Sequence, residues 1–340
     1  MTNRRPTIDR RDFLSIASAS VGALSLGASP AAASAGRPVR AARIVGGAYA
    51  LVLGSAQDGG MPQAGCYSAA CEKARDADRP RLVASLGVVT RPGGAGVSPN
   101  FYLVDASPDL PRQMDLLADR EPAFRARGGE RRPFDGVFLT HAHMGHYLGL
   151  AHLGREALAT ARTPVHCTQR MADFLAANAP WSLLVDEGRL DLQPLEPGRV
   201  RRVDDSLSAR CILVPHREEF SDTVAWIFEG PRGSLLYLPD IDRWSRWDRD
   251  IAQVVAEVDT AMLDGTFYSA DEVPGRSIED IPHPLITDSI ERLRVPARHT
   301  RVIFTHLNNS NPALDSASPE AAAVRQAGFE IAREGTELEL

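Results

Sequence analysis

Three histidines fall within six residues, His141-Ala142-His143-Met144-Gly145-His146. Neutral imidazole is a favoured ligand of zinc and its neighbours. His141 and His143 stand two apart, so on an extended loop they converge on one ion, while His146 opens the following helix and addresses a neighbouring position. The run Phe134-Asp135-Gly136-Val137-Phe138-Leu139-Thr140 feeds straight into them. Core packing gives no reason to gather three imidazoles behind one strand. Metal binding does.

Further ligands are expected where other apolar runs end. His216 ends Cys211-Ile212-Leu213-Val214-Pro215, Asp240 follows Leu235-Leu236-Tyr237-Leu238-Pro239, and His306 follows Val302-Ile303-Phe304-Thr305. Each is a polar residue at the C-terminal end of a strand-length run, where open α/β sheets place their sites. One such residue alone often just caps a turn. Together with the cluster they make five histidines and one carboxylate, enough for one or two ions.

The elements that must position these groups are legible as apolar runs between turn signals. Strands are expected over 48–55, 82–89, 100–107, 134–140, 164–168, 208–215, 223–229, 234–239, 260–263 and 301–305. Helices are expected over 108–117, 147–158, 170–178, 248–258, 284–293 and 319–328. The last has Ser318 as its N-cap, Pro319 in the first helical position and Gly328 past its end. Strands and helices mix throughout, which suits a layered α/β arrangement with residues 36–340 as one catalytic domain.

Asp9-Arg10-Arg11-Asp12-Phe13-Leu14 puts paired arginines ahead of an apolar, Ala/Ser-rich stretch, 16–28, and Ala33-Ser34-Ala35 offers small residues to signal peptidase. This resembles a twin-arginine signal peptide over residues 1–35. It implies export by the twin-arginine machinery and a periplasmic or secreted mature protein. The stretch falls short of the ~20 strongly apolar residues of a membrane span, so no stable membrane association is expected. A formal charge of −6 argues against a nucleic-acid partner, and the arginines of 125–132 are expected to be solvated loop charges. Four cysteines, at 66, 71, 167 and 211, are too few for a disulfide scaffold.

The motif order His-x-His-x-x-His, then a strand-end His, Asp and His, resembles the metallo-β-lactamase superfamily over nearly all of the mature chain. The resemblance implies an α/β fold, the four-layer αββα sandwich. It implies a first metal on His141, His143 and His216, a second on His146 and His306, and Asp240 bridging them. The cofactor it implies is Zn, one or two ions, with Fe or Mn as alternatives. Asp105, in Val104-Asp105-Ala106-Ser107, takes the family role of orienting a ligand His. The family usually has Asp at the position of Gly145, where it ligates the second metal. The second site is therefore expected to keep three protein ligands, or to recruit Asp264 or a water.

Leu263-Asp264-Gly265-Thr266-Phe267 is similar to a segment of the ribonuclease Z branch, in which a later His before a helix assists proton transfer. His283, in Ile281-Pro282-His283-Pro284, occupies that place, with helix capping as the alternative. Asp264 is expected to hold a ligand His in its tautomer. Leu53-Gly54-Ser55-Ala56-Gln57-Asp58-Gly59-Gly60-Met61-Pro62-Gln63 with Cys66 and Cys71 resembles the pyrroloquinoline quinone biosynthesis protein B group. Relatives there carry Cys-x-Cys-x-x-Cys in a small zinc site. Here Ser68 replaces the middle Cys, leaving either a reduced zinc site or a Cys66–Cys71 disulfide. Protein B itself lacks the full His-x-His cluster, so this chain reads as a relative of that group.

The favoured activity is metal-assisted hydrolysis of an ester, lactone, amide or phosphoester in a small-molecule substrate. Asp240 would orient the nucleophile and His283 protonate the leaving group. An iron-dependent oxidoreductase or hydroxylase is the alternative, because a His/Asp site suits iron as well. A non-catalytic metal-binding or stress-response protein comes third. Tyr237, Phe267, Tyr268, Trp244 and Trp247 line either the pocket or the core, and His152, His166 and His299 are expected to be structural.

Overall fold

The computed structural model describes residues 47–76, 80–93, 96–127, 131–272 and 282–340. The expected signal peptide, 1–35, lies outside them. Within them, strand β1 (Ala48–Gly54) is buried at every position, which requires cover on both faces. Its side chains alternate accordingly. Tyr49, Leu51 and Leu53 enter one apolar cluster, and Ala48, Ala50 and Val52 enter another.

β1 sits in a mixed sheet with β2 (Ser85–Thr90), β3 (Asn100–Val104), β4 (Gly136–Phe138), β5 (Thr163–Cys167) and β6 (Leu190–Pro194). A second sheet runs from β7 (Arg201–Arg202) through β8 (Ser208–Val214), β9 (Thr223–Glu229), β10 (Ser234–Leu238), β11 (Thr260–Asp264) and β12 (Arg301–Thr305) to β13 (Glu330–Ile331). The chain then returns to the first sheet, where β14 (Glu337–Glu339) pairs with β1. The inner cluster joins Val52, Leu86 and Phe138 to Trp226, Tyr237 and Ile303, so the two sheets pack face to face.

Helices cover the outer faces. α1 (Ala69–Asp76) follows the loop after β1. On the first sheet lie α2 (Leu110–Arg120), α3 (Pro122–Ala126), α4 (Met144–Tyr147), α5 (Gln169–Ala177) and α6 (Trp181–Asp186), anchored by Leu110, Phe124, Leu175 and Trp181. On the second lie α7 (Ile251–Ala256), α8 (Ile286–Leu293) and α9 (Pro319–Gln326), anchored by Val255, Leu293 and Val324. This is the expected four-layer αββα sandwich. The Ser318 hydroxyl accepts from Ala321 N, the cap expected for α9. No helix among the described residues is long and apolar enough to cross a membrane.

The helix expected over 147–158 does not form as such. α4 is a single turn that holds His146 inside it, and a 3-10 helix follows over Leu148–Leu153. At Gly149 the backbone N–H donates to Ala106 O at 2.8 Å, an approach that a side chain would block. The strands absent from the sequence reading are β6, β7, β13 and β14. All are short or half-exposed edge pieces, where hydrophobic alternation is weak.

β3, β4 and β5 run parallel, as do β10, β11 and β12. Their C-terminal ends therefore meet along one edge of the sandwich. There the sheets are stitched together by Trp226 Nε1 donating to Leu139 O at 3.0 Å and Val224 N to Thr140 O at 3.1 Å. That edge carries the metal-binding candidates.

Candidate metal centre

His141, His143, His216 and Asp240 form one buried group with a ligand-type atom from each within 4.8 Å of the others. One Asp240 oxygen, Oδ2, lies 3.1 Å from His216 Nε2, 3.4 Å from His141 Nε2 and 4.0 Å from His143 Nδ1. It is also 4.0 Å from His146 Nε2 and 3.9 Å from His306 Nε2. Asp240 thus stands at the centre of all five imidazoles that the sequence singled out.

His146 and His306 make a second group, and their companion is Asp58. Asp58 Oδ1 lies 3.4 Å from His146 Nε2 and 3.8 Å from His306 Nε2. Asp264 does not enter this group. It joins Asp240 and His283 in a third, with His283 Nδ1 2.9 Å from Asp264 Oδ2 and 3.2 Å from Asp240 Oδ1.

His141 Nε2 and His143 Nδ1 lie 2.9 Å apart, but most other inner atoms of these groups lack hydrogen bonds. Asp58 Oδ1, His146 Nε2, His216 Nε2, Asp240 Oδ1 and His306 Nε2 are all buried without one. Each such atom costs about 1–3 kcal/mol unless something else satisfies it. Lone pairs gathered from opposite directions on one small volume fit a cation. Imidazole and carboxylate donors suit zinc, and suit iron or manganese too.

The outer nitrogens are addressed instead. The Thr140 hydroxyl donates to the Asp105 carboxylate and so accepts from His141 Nδ1 at 3.0 Å. His146 Nδ1 donates to Asp105 Oδ2 at 2.7 Å. In the other sheet the Thr266 hydroxyl donates to Asp264 Oδ1 at 2.7 Å and accepts from His306 Nδ1 at 3.0 Å. His143 turns the other way, giving Nε2–H to Glu219 at 3.1 Å and leaving Nδ1 inward. His216 Nδ1 has Asp242 Oδ1 at 3.4 Å. Four of the five rings, those of His141, His143, His146 and His306, therefore present a lone pair to the centre, because a fixed acceptor takes the proton on the far side.

The charges follow from that crowding. Burial opposes the charge on Asp240, yet His216 and His306 hold its carboxyl well below the usual carboxylate range. Burial pushes His216 down, but the Asp240 charge outweighs it and raises the imidazole to about 9. His283 is lifted to about 10, with Asp264 and Asp240 overcoming burial.

With this geometry in view, the comparison with known proteins is specific. The Beta-lactamase superfamily domain model matches residues 100–307. The chain belongs to the metallo-β-lactamase superfamily. Its relatives include coenzyme PQQ synthesis protein B of Bradyrhizobium diazoefficiens, 30% identical over 325 residues, covering 85% of this chain and 99% of the relative. The same protein of Xanthomonas campestris is 29% identical over 317 residues, with the same coverage. Among solved structures, zinc-bound PqqB from Methylobacterium extorquens aligns with a TM-score of 0.70 and 24% identity, over 86% of this chain and 100% of the other. A diphosphatase of the PhnP family aligns with a TM-score of 0.58 and 21% identity, over 86% and 97%.

Within the superfamily fold, the residues read from sequence sit as follows. His141, His143, His146, His216, Asp240 and His306 converge; Asp105 orients His146 and, through Thr140, His141. Asp264 reaches His306 only through Thr266, and binds His283 directly. Asp105 and His306 both take left-handed backbone angles, φ 62° and 60°, at the ends of β3 and β12. Non-glycine residues adopt that region at a cost, which the buried bonds of both side chains offset. Cys66 and Cys71 are joined as a disulfide, so the second of the two alternatives holds. Tyr237, Trp244 and Trp247 are core, and Phe267 packs beside His283 with ring centroids 5.8 Å apart.

Asp58, Glu219 and Asp242 were not singled out from sequence. Glu219 and Asp242 leave no trace in spacing or periodicity. Asp58 left a faint one, an acidic residue in a Gly-rich turn directly after a strand. A different set of aromatics flanks the cluster as well. Phe220 and Met144 are exposed, and the rings of Phe220, Phe174, Tyr147 and Trp181 follow one another at centroid spacings of 5.4, 5.7 and 5.0 Å.

Proposed function

We propose that this chain is a metal-dependent hydrolase, exported by the twin-arginine route and active in the periplasm or outside the cell. The observation that carries the reading is the ring of inward lone pairs around Asp240. When bound there, zinc supplies Lewis acidity and lowers the pKa of water from 15.7 towards ~7. The protein's own groups do the rest. Asp240 and Asp58 set the orientation of the attacking oxygen, and the buried histidines exclude bulk solvent from its far side. With Nδ1 of His283 bonded to Asp264, Nε2 is the atom that delivers a proton to the leaving group.

The aromatic row supports a substrate with an apolar or aromatic portion joined through an ester, lactone, amide or phosphoester. Met144 lies between two cluster histidines, and Phe220 lies between Glu219, bound to His143, and Ser221, whose hydroxyl accepts from Ala142 N at 2.9 Å. Such a shelf at the rim holds a flat group by stacking and burial.

Similarity to coenzyme PQQ synthesis protein B keeps one second reading in play, iron-dependent oxidation at the same ligands. Metal analysis of the protein purified from its exported form separates the two. Zinc with turnover of aryl esters or phosphodiesters supports hydrolysis. Iron with oxygen-dependent turnover replaces it, and a metal-free, inert protein overturns both.

A further inference from the structure

Gly145 and Asp58 are far apart in sequence and share one volume in space. A Cβ built on Gly145 would overlap Asp58 Oδ1 and come within 2.9 Å of the Asp58 Cα. The side chain that position 145 lacks has its place filled by a carboxylate from a different element. That carboxylate is not a passive filler. Its Oδ1 is buried with no hydrogen bond, and so are the His146 and His306 Nε2 atoms it faces.

The loop that delivers it is held at both ends. Gln57 N donates to Leu307 O at 3.0 Å and Leu307 N to Ser55 O at 2.9 Å, which ties the residue before Asp58 to the residue after His306. Met61 and Arg81 exchange backbone hydrogen bonds of 3.0 and 2.8 Å on the other side. Between them Gly60 turns the chain with φ +66° and donates to Gln57 O at 2.8 Å. Asp58 is therefore pre-positioned by backbone pairing and does not swing in from solvent.

We infer that Asp58 is a metal ligand, completing a second site with His146, His306 and the shared Asp240, and that Gly145 is the gap that admits it. The carboxylate of this site comes from the loop after β1, whereas His146 comes from α4, the helical turn that follows β4. Asp58 lies outside residues 100–307, the part of the chain matched by the superfamily domain. The inference rests on metal binding but not on hydrolysis.

The test is metal stoichiometry and affinity, read by elemental analysis and by cobalt absorption spectra of the purified exported chain. The wild type should hold two ions per chain. Asp58→Asn, nearly isosteric, and Asp58→Ala should each hold one, with the second ion weakened by more than the roughly 10–100-fold that loss of an outer-sphere partner costs. Gly145→Ala should lose the same ion, because its Cβ displaces the carboxylate. The exchange Asp58→Gly with Gly145→Asp should recover two ions, which a merely structural role for Asp58 would not produce. Two ions retained at unchanged affinity in Asp58→Asn would overturn the inference. So would a wild type with one ion whose affinity ignores Asp58. Either result leaves hydrolysis at the first site standing, whereas a wild type with no metal removes both.

Discussion

The Asp105 carboxylate receives the Nδ1–H of His146 at 2.7 Å with both side chains fully buried. The same carboxylate accepts from the Thr140 backbone N at 2.8 Å. It therefore aims a ligand and ends strand β4 at once. Asp105→Ala should weaken metal binding by about 10–100-fold. It should also cost about 1–3 kcal/mol of stability by stranding the Thr140 N–H. Metal titration and urea denaturation of the variant check the two effects separately.

Removal of the cation should destabilise the whole edge. Orphaned lone pairs are satisfied only in the metal-bound native state, so added metal stabilises by mass action, about 4 kcal/mol at a thousandfold excess over Kd. A chelator should lower the Tm, and returned zinc should restore it in a concentration-dependent way. A Tm indifferent to chelator would contradict the reading of the centre.

His143→Ala and His216→Ala should each abolish turnover of a chromogenic ester or phosphodiester and release the first ion. Full activity in both would show that the first site is misassigned.

His283 touches two carboxylates but belongs to neither of the two groups that share the five clustered histidines. His283→Ala should lower kcat by roughly 10²–10⁴-fold while KM stays near its original value and metal content is unchanged. A loss of metal parallel to the loss of rate would instead make it a ligand.

His166 lies away from the centre, stacked on Phe138 with centroids 4.6 Å apart and its Nδ1 without a hydrogen bond. Burial, helped by the Arg201 charge, pushes it down to about 4. Its stabilising effect is complete above the unfolded value near 6.5. It is lost as pH falls towards 4, because the unfolded chain takes up the proton first. Across that window the loss amounts to roughly 3 kcal/mol. In chelator-treated protein, His166→Leu should show a shallower fall in stability from pH 6.5 to 4 than the wild type.

At the rim, Phe220→Ala should raise KM for aryl substrates several-fold and leave small alkyl substrates nearly unaffected. A stacked aromatic contact adds about 0.5–1.5 kcal/mol. Equal effects on both classes would remove the aromatic shelf from the substrate site.

Much of this protein was decided locally. The apolar runs set ten of its strands, because a strand buried on both faces must be apolar along its length. The residue that follows each run leaves the sheet at its edge, so His216, Asp240 and His306 stood out as polar endings, and His141, His143 and His146 as a cluster. Short edge strands such as β7 and β13 left no such mark, since they are held by their neighbours and not by their own composition. What sequence could not decide is which remote group completes each cluster. Asp58 reaches His306 because Ser55 and Gln57 pair with Leu307 across more than two hundred residues of chain, and Glu219 meets His143 only where β9 closes on β4. Gly145 read alone marks a missing ligand. The packed sandwich makes it the space in which another ligand sits, because only tertiary contact brings the two backbones together.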